Sequence, residues 1–400
     1  MTQQEIMHRN ISLYKKFVLF SEPLFWGPIL ITSIQRLGHM ALSEIYFMES
    51  AVIIICVALD IPSGALADLI GKRRLLIAGR ILLLMSYILF ASMNSPLMVW
   101  MANILWAIGI SFQSGADVSL IYTSLKNGGS KEIFKKVEGQ ATGYRFALMG
   151  CCALFVGILA KIDLRMTLFL SIPPLIIPLI SAWKFTEPNQ THVYQPKEQW
   201  HILTSGIKFA LTSKPIRWIL GFGALIAGVS KIWFFTYNPY FELVHLDITY
   251  YGFIFFLLNM TAWIFSHKAY AISQRFSERA CIIAMIALLA VPIITMGLIP
   301  WWPMTFVVLL QNTVRGFIQP FMGDFMNRHI DSEHIRTTVL SVRSSATNII
   351  SIASLSWFGI MTSSFDLLNS LIILGSTALL IGSISVNAYN RVFPKSKTPT

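Results

Sequence analysis

The residues able to do chemistry in this chain are charged side chains set inside long apolar runs. They are Glu22, Glu49, Asp60, Asp117, Arg145, Lys231, Arg315 and Arg343, with Glu44 and Asp324 nearer the ends of such runs. A charge at mid-membrane costs about 2.5–3.5 kcal/mol on insertion scales, so each is by default a candidate for coupling or substrate contact. Four acids and four bases form the inner set, and they can pair without net buried charge. Glu22 precedes Pro23 and Trp26-Gly27-Pro28, where a kinked helix can face a cavity. Asp60 lies four residues before Gly64, on the same face of one helix, which favours an inner-gate or packing role. Metal chemistry finds no ligand motif. His329 and His334, with Asp331 and Glu333 between them, read as a solvated loop. The four cysteines (Cys56, Cys151, Cys152, Cys281) fall in apolar segments and read as small core residues, neither a disulfide framework nor a metal cluster. No cofactor is implied, since Gly71-Lys72-Arg73 lacks the Ser/Thr that completes a phosphate-binding loop.

The elements holding these charges are membrane spans. Only 12% of the 400 residues are charged and 55% are hydrophobic, in blocks long enough for the roughly 20 residues that cross a bilayer. Helix is the expected form, because lipid offers no partner to an unpaired backbone group. The ten-residue alternation of a transmembrane barrel is absent. Breaks at charged, Pro, Gly and Asn residues predict twelve helices: 17–36, 43–67, 75–93, 97–125, 138–160, 166–184, 216–240, 248–267, 281–298, 303–327, 337–360 and 366–388. The odd-numbered connections hold only Arg36, Lys161 and Arg165, and most other basic residues fall in the termini and even connections. Basic residues mark the cytoplasmic side, so both termini are expected there, in a bacterial inner membrane. The net charge of +12 is then a topology signal and not a nucleic-acid surface. Lys15 and Lys16 precede an apolar run too long for a signal peptide, without a small-residue cleavage site, so the first helix should remain as an anchor.

The longest connection falls at the midpoint and divides the chain into 1–185, a linker at 186–214, and 215–400. Trp200, Leu203, Ile207, Ala210 and Leu211 recur there at helical spacing beside Lys208 and Lys214, which predicts an amphipathic helix on the inner leaflet. The halves echo each other. Gly115-Ala116-Asp117 matches Gly323-Asp324, and Arg145 matches Arg343, each about half a chain apart. Parallel six-helix repeats around a substrate cavity are a known transporter plan. Asp117 and Arg145 flank one short connection and should both lie roughly 12–14 Å from its end, at about 1.5 Å per residue, as an ion pair. The outer half of helix 7 (Lys231, Trp233, Phe234, Phe235, Tyr237, Asn238, Pro239, Tyr240) reads equally as cavity lining or as an interfacial aromatic belt.

One loop names a family. Gly64-Ala65-Leu66-Ala67-Asp68-Leu69-Ile70-Gly71-Lys72-Arg73-Arg74 resembles the signature loop of the major facilitator superfamily, in the connection between helices 2 and 3 where that family carries it. Leu69 departs from the Arg usual there. Gly64 and Gly71 are expected to permit close helix approach and a tight turn. Asp68 can face a helix N-terminus, while Lys72, Arg73 and Arg74 hold the cytoplasmic surface. The matching connection between helices 8 and 9 keeps Arg275 and Arg279 but loses the glycines and the aspartate. Asp60-Ile61-Pro62-Ser63-Gly64, Ser114-Gly115-Ala116-Asp117 and Arg336-Thr337-Thr338 look like a bacterial branch whose substrates are mostly unassigned. Thr123 stands where that branch has a second aspartate, Trp106 about where drug antiporters have arginine, and helix 5 offers spaced glycines (Gly139, Gly143, Gly150, Gly157) without the antiporter Gly-Pro. Efflux is therefore not shown by motif.

The resemblance implies an all-α membrane protein of twelve helices in two six-helix halves. It implies a monomeric secondary transporter of a small organic solute working by alternating access, coupled to protons, without cofactor, metal or nucleic acid. A membrane enzyme acting on a lipid-like substrate is the alternative. That class should carry clustered His/Asp or Cys/His motifs at membrane ends, which this sequence lacks.

Overall fold

Proline and glycine decide where the spans break. The computed structural model describes residues 2–187, 207–330 and 333–393. The first span is two helices. Helix α1 (Gln3–Leu19) opens on a capping box in which Thr2 Oγ1 accepts from the Glu5 amide and the Glu5 carboxylate accepts from Thr2 N, at 2.8 Å. Residues 20–26 leave the helix, a 3-10 turn runs Gly27–Ile29, and α2 (Leu30–Gly38) completes the span. Pro23 and Pro28 lack the amide a helix interior needs, so the expected kink is a full interruption.

Helix α3 (Leu42–Ile70) is joined to α4 (Lys72–Ala91) by Gly71 alone, at φ 95°. An L side chain adopts that conformation only with strain, so the tight turn expected of this glycine is present. The predicted helix 97–125 is divided into α5 (Pro96–Gln113) and α6 (Ala116–Asn127), with Gly115 at φ 76° between them. The division puts Asp117 in the first turn of a new helix. Then come α7 (Phe134–Ile162), α8 (Leu164–Leu170) and α9 (Ile176–Lys184), the last two separated by a 3-10 turn at Pro173–Leu175.

The linker prediction lies largely outside the described residues, Trp200 and Leu203 included; 207–212 are helical and form α10. The rest of the chain is α11 (Lys214–Leu243), α12 (Thr249–His267), α13 (Ala269–Arg275), α14 (Glu278–Leu298), α15 (Val308–Asn327), α16 (Glu333–Ser364) and α17 (Leu367–Val392). The result is an all-α membrane fold of twelve spans. Nine stretches among the described residues are long and apolar enough to cross a bilayer by length and composition. Ile54, Phe155, Ile158, Leu380 and Ile384 are exposed, as lipid-facing side chains should be. Cys281 is buried, but Cys151 is exposed, so the cysteines are not uniformly core residues.

The chain forms two compact units. The first comprises Met1–Ala41, Ala51–His192 and Asp247–Phe256; the second comprises Leu42–Ser50, Val193–Leu246 and Leu257–Thr400. Within the first, Tyr14, Phe17, Leu76, Leu120, Ile121 and Ala141 share one apolar core. The backbones of Gly79 and Gly109 approach so closely that a Cβ on Gly79 would stand 2.9 Å from the Gly109 carbonyl oxygen. Small residues bring membrane helices together in this way. Also within this unit, the Lys161 ammonium and the Asp247 carboxylate pair at 2.8 Å. Within the second unit, the Tyr46 and Thr236 hydroxyls are 2.6 Å apart and the Tyr46 ring sits edge-on to Phe358.

Candidate coupling and substrate site

The interruption of the first span leaves Glu22 outside any helix, free of a helical register. Arg145, from α7, reaches it with Nη1 3.7 Å from the Glu22 carboxylate. Both side chains are partly exposed (25% for Arg145, 38% for Glu22), so the pair is accessible rather than locked in the core. The Arg145 guanidinium also lies over the Phe146 ring, and its Nε has no protein partner. Asp117 is not the partner of Arg145 that matching depth predicts: no ion pair joins them among the described residues. The Asp117 carboxylate instead accepts from the amide of Val118 at 2.7 Å, in the first turn of α6. Unpaired amides at a helix start favour an anion, and the break at Gly115 creates that start.

Arg80, on α4, was legible as an in-helix charge but stands outside the candidate set drawn from the sequence. It is 3% exposed. One nitrogen, Nη1, donates to the Ser21 carbonyl at 3.0 Å, and the guanidinium lies 4.3 Å from the Phe17 ring centre. Its Nε and Nη2 are buried without partners. Glu22, Asp117 and Arg145 are all within its electrostatic reach. A buried guanidinium with two unused donors is costly to keep and well suited to grip an acceptor that comes and goes.

The signature loop shows a helix-end anion, from a residue the sequence did not single out. The Glu187 carboxylate accepts from the amides of Lys72 at 2.9 Å and Arg73 at 2.8 Å, capping the start of α4. The Arg73 guanidinium donates twice to the Trp183 carbonyl. Lys72 is not a surface cation: it is 8% exposed and its ammonium donates to Thr123 Oγ1 at 3.4 Å. The space beside Gly64 is open to 4 Å, so the close approach expected there is absent. Asp60 is exposed, and its carbonyl accepts from the Ser63 hydroxyl. The side chain of Asp68 lies outside the described set.

In the second unit Glu49 lies within electrostatic reach of Lys231, whose ammonium stands 5.2 Å from the Phe235 ring. Trp233, Phe235, Tyr237 and Tyr240 are buried, which removes the interfacial-belt alternative for them. Arg315 Nη1 lies 3.5 Å from Asn312 Oδ1, and Arg343 donates to Gln319 at 2.6 Å. Gln311, one turn before Arg315, is 3% exposed with neither amide atom partnered, another group that sequence inspection passed over. Asp324 belongs elsewhere. Together with Glu278 it holds Arg328, at 3.1 and 2.7 Å, and the Tyr389 hydroxyl donates to Glu278. The second-half echoes of Asp117 and Arg145 therefore have different partners. No group of metal-binding side chains occurs among the described residues.

No curated protein matches the chain. Solved structures that share the fold include a mutant of the nucleoside transporter NupG (12% identity, TM-score 0.76, covering 98% of this chain and 100% of that one), a bacterial homologue of the human lysosomal transporter Spinster in an inward-facing, unoccupied conformation (14%, 0.74, 100% and 99%), and a D-xylose-proton symporter (11%, 0.68, 96% and 97%). At such identities they speak to fold alone. Residues 17–355, the greater part of the chain and including the signature loop, match the Major Facilitator Superfamily, and the chain belongs to that family.

Proposed function

We propose that this protein is a secondary active transporter that moves a small polar organic solute, coupled to protons at Glu22 and Arg145. Residues 1–185 and 215–400 are its alternating halves and 186–214 the linker between them. It acts as a monomer in a bacterial inner membrane, both termini cytoplasmic, as the distribution of basic residues argues.

The contact of Arg145 with Glu22 carries the coupling. A carboxylate beside a guanidinium stays ionised, and one that loses this partner as the site closes around it takes up a proton more readily. A movement of α7 against the interrupted first span lengthens a contact that is already 3.7 Å and frees the carboxylate to take up a proton. Arg80 supplies donors to the solute through Nε and Nη2. The nucleoside and D-xylose-proton transporters that share the fold carry small hydroxyl-rich solutes, and such solutes are rich in the acceptors Arg80 lacks.

The test is uptake into proteoliposomes under an imposed pH gradient, with panels of nucleosides and sugars. One panel should accumulate, a protonophore should abolish accumulation, and Glu22→Gln should retain exchange without accumulation. Gradient-independent accumulation, or a Glu22→Gln protein that accumulates like wild type, would sink the proposal.

A further inference from the structure

A cavity of about 350 Å³ lies in the second unit, and none of the charges discussed above as coupling candidates lines it. Phe265 of α12, Ile272 of α13, Phe276 at the end of α13, Met285 and Leu288 of α14, and Phe317 of α15 form its walls. The size falls in the range of ligand pockets, roughly 300–1,000 Å³. Thr313 reaches the lining too, but its hydroxyl is spent on the Leu310 carbonyl at 2.6 Å. The walls thus leave a polar solute no free hydroxyl, amide or charge to bind, and a solute entering here would lose its own hydrogen bonds to water. The occupant must be hydrocarbon.

The opening says what that hydrocarbon is attached to. Ala280 and Ala284, small residues on the exposed face of α14, leave the cavity open to the surface, and Phe276 at its edge is 53% exposed. The same short stretch carries three exposed cations, Lys268, Arg275 and Arg279. The Arg275 guanidinium stands 6.0 Å from the ring centre of Phe276. The acid of this stretch, Glu278, is already held by Arg328 at 2.7 Å and by the Tyr389 hydroxyl, so it does not neutralise these cations. An exposed arginine against the edge of an apolar cleft between spans, with further cations in the same stretch, is an arrangement that takes an anionic lipid headgroup with its chain.

We propose that this cavity binds one anionic membrane phospholipid, an acyl chain inside and the phosphate against Arg275, with the neighbouring Arg279 adding to the positive charge of the surface. The site rests on the membrane-spanning fold and not on the transport reading, so its failure would leave the proposed function intact.

The test is native mass spectrometry of the full chain released from mild detergent after exchange with phosphatidylglycerol or phosphatidylcholine of identical chains. Wild type should retain one phosphatidylglycerol several-fold over phosphatidylcholine. Ala284→Trp, which plugs the opening, should lose that lipid. Arg275→Gln/Arg279→Gln, an exposed double change that leaves the walls intact, should level the two lipids. If Ala284→Trp does not fold, the surface double variant decides alone. Equal retention of both lipids by wild type, or undiminished selectivity in the double variant, overturns the proposal.

Discussion

Arg145 meets Glu22, not Asp117: its Nη1 lies 3.7 Å from the Glu22 carboxylate, while the Asp117 carboxylate turns back to the amide of Val118. Both acids were candidates, and the difference between them is architectural. Glu22 sits where two prolines interrupt a span, and Asp117 where a glycine starts a helix. Neutralising them should therefore have unlike effects. Arg145→Gln should abolish proton-driven accumulation as Glu22→Gln does, and the double change should recover exchange without coupling. Asp117→Asn should chiefly lower stability, by about 1 kcal/mol as the loss of a helix-start anion costs. Accumulation by the Glu22→Gln/Arg145→Gln protein equal to wild type would show the pair to be structural.

Arg80→Met removes the two unpartnered donors that we assign to the solute. A hydrogen bond to a charged group contributes about 1.5–3 kcal/mol, so losing even one of the two should raise the substrate KM by at least about tenfold. Arg80→Lys should recover part of that loss, because the charge returns without the fork. Transport kinetics of the purified variants decide it. An unchanged KM in Arg80→Met would leave the residue as packing against Phe17 alone.

Glu187 caps the start of α4 through two backbone amides. Glu187→Ala should lower stability by about 1 kcal/mol, the usual cost of a lost cap. Glu187→Gln, which keeps one acceptor but no charge, should fall between. Thermal unfolding in detergent gives the order, and an alanine variant as stable as wild type would show the carboxylate to be idle.

Asp247, outside the spans, is held below the ordinary carboxylate range by its hydrogen bond from Lys161 and then by those from Thr249. Its pKa is lower folded than unfolded, so its contribution to stability is fully present above the unfolded value of about 3.9. It disappears only as pH falls further, through the folded value. Asp247→Asn should thus be less stable than wild type from neutral pH down to about pH 4, and the gap should close below that. A gap that is already closed near neutral pH would contradict the assignment. Both side chains are half-exposed, so raised salt should shrink the difference.

Much of this was written in the chain itself. The apolar blocks located twelve spans, because the length a bilayer demands is a one-dimensional quantity. Pro23 and Pro28 announced a kink in the first span, which the structure deepens to an interruption, and the loop from Gly64 to Arg74 announced the family. Depth was legible as well, since rise per residue is local. What tertiary structure alone decided was which side of each helix faces which neighbour. Depth made Asp117 and Arg145 partners, and the interruption of the first span brought Glu22 to Arg145 instead. The turn at Gly71 needed a carboxylate, and the one facing its amides came from Glu187, more than a hundred residues away in sequence. The aromatics of α11 could be belt or interior by composition, and packing buried them. Arg80 was visible as a letter in an apolar run. Its two unpaired nitrogens exist only because Phe17 and Ser21, from another span, close over it and supply a single acceptor.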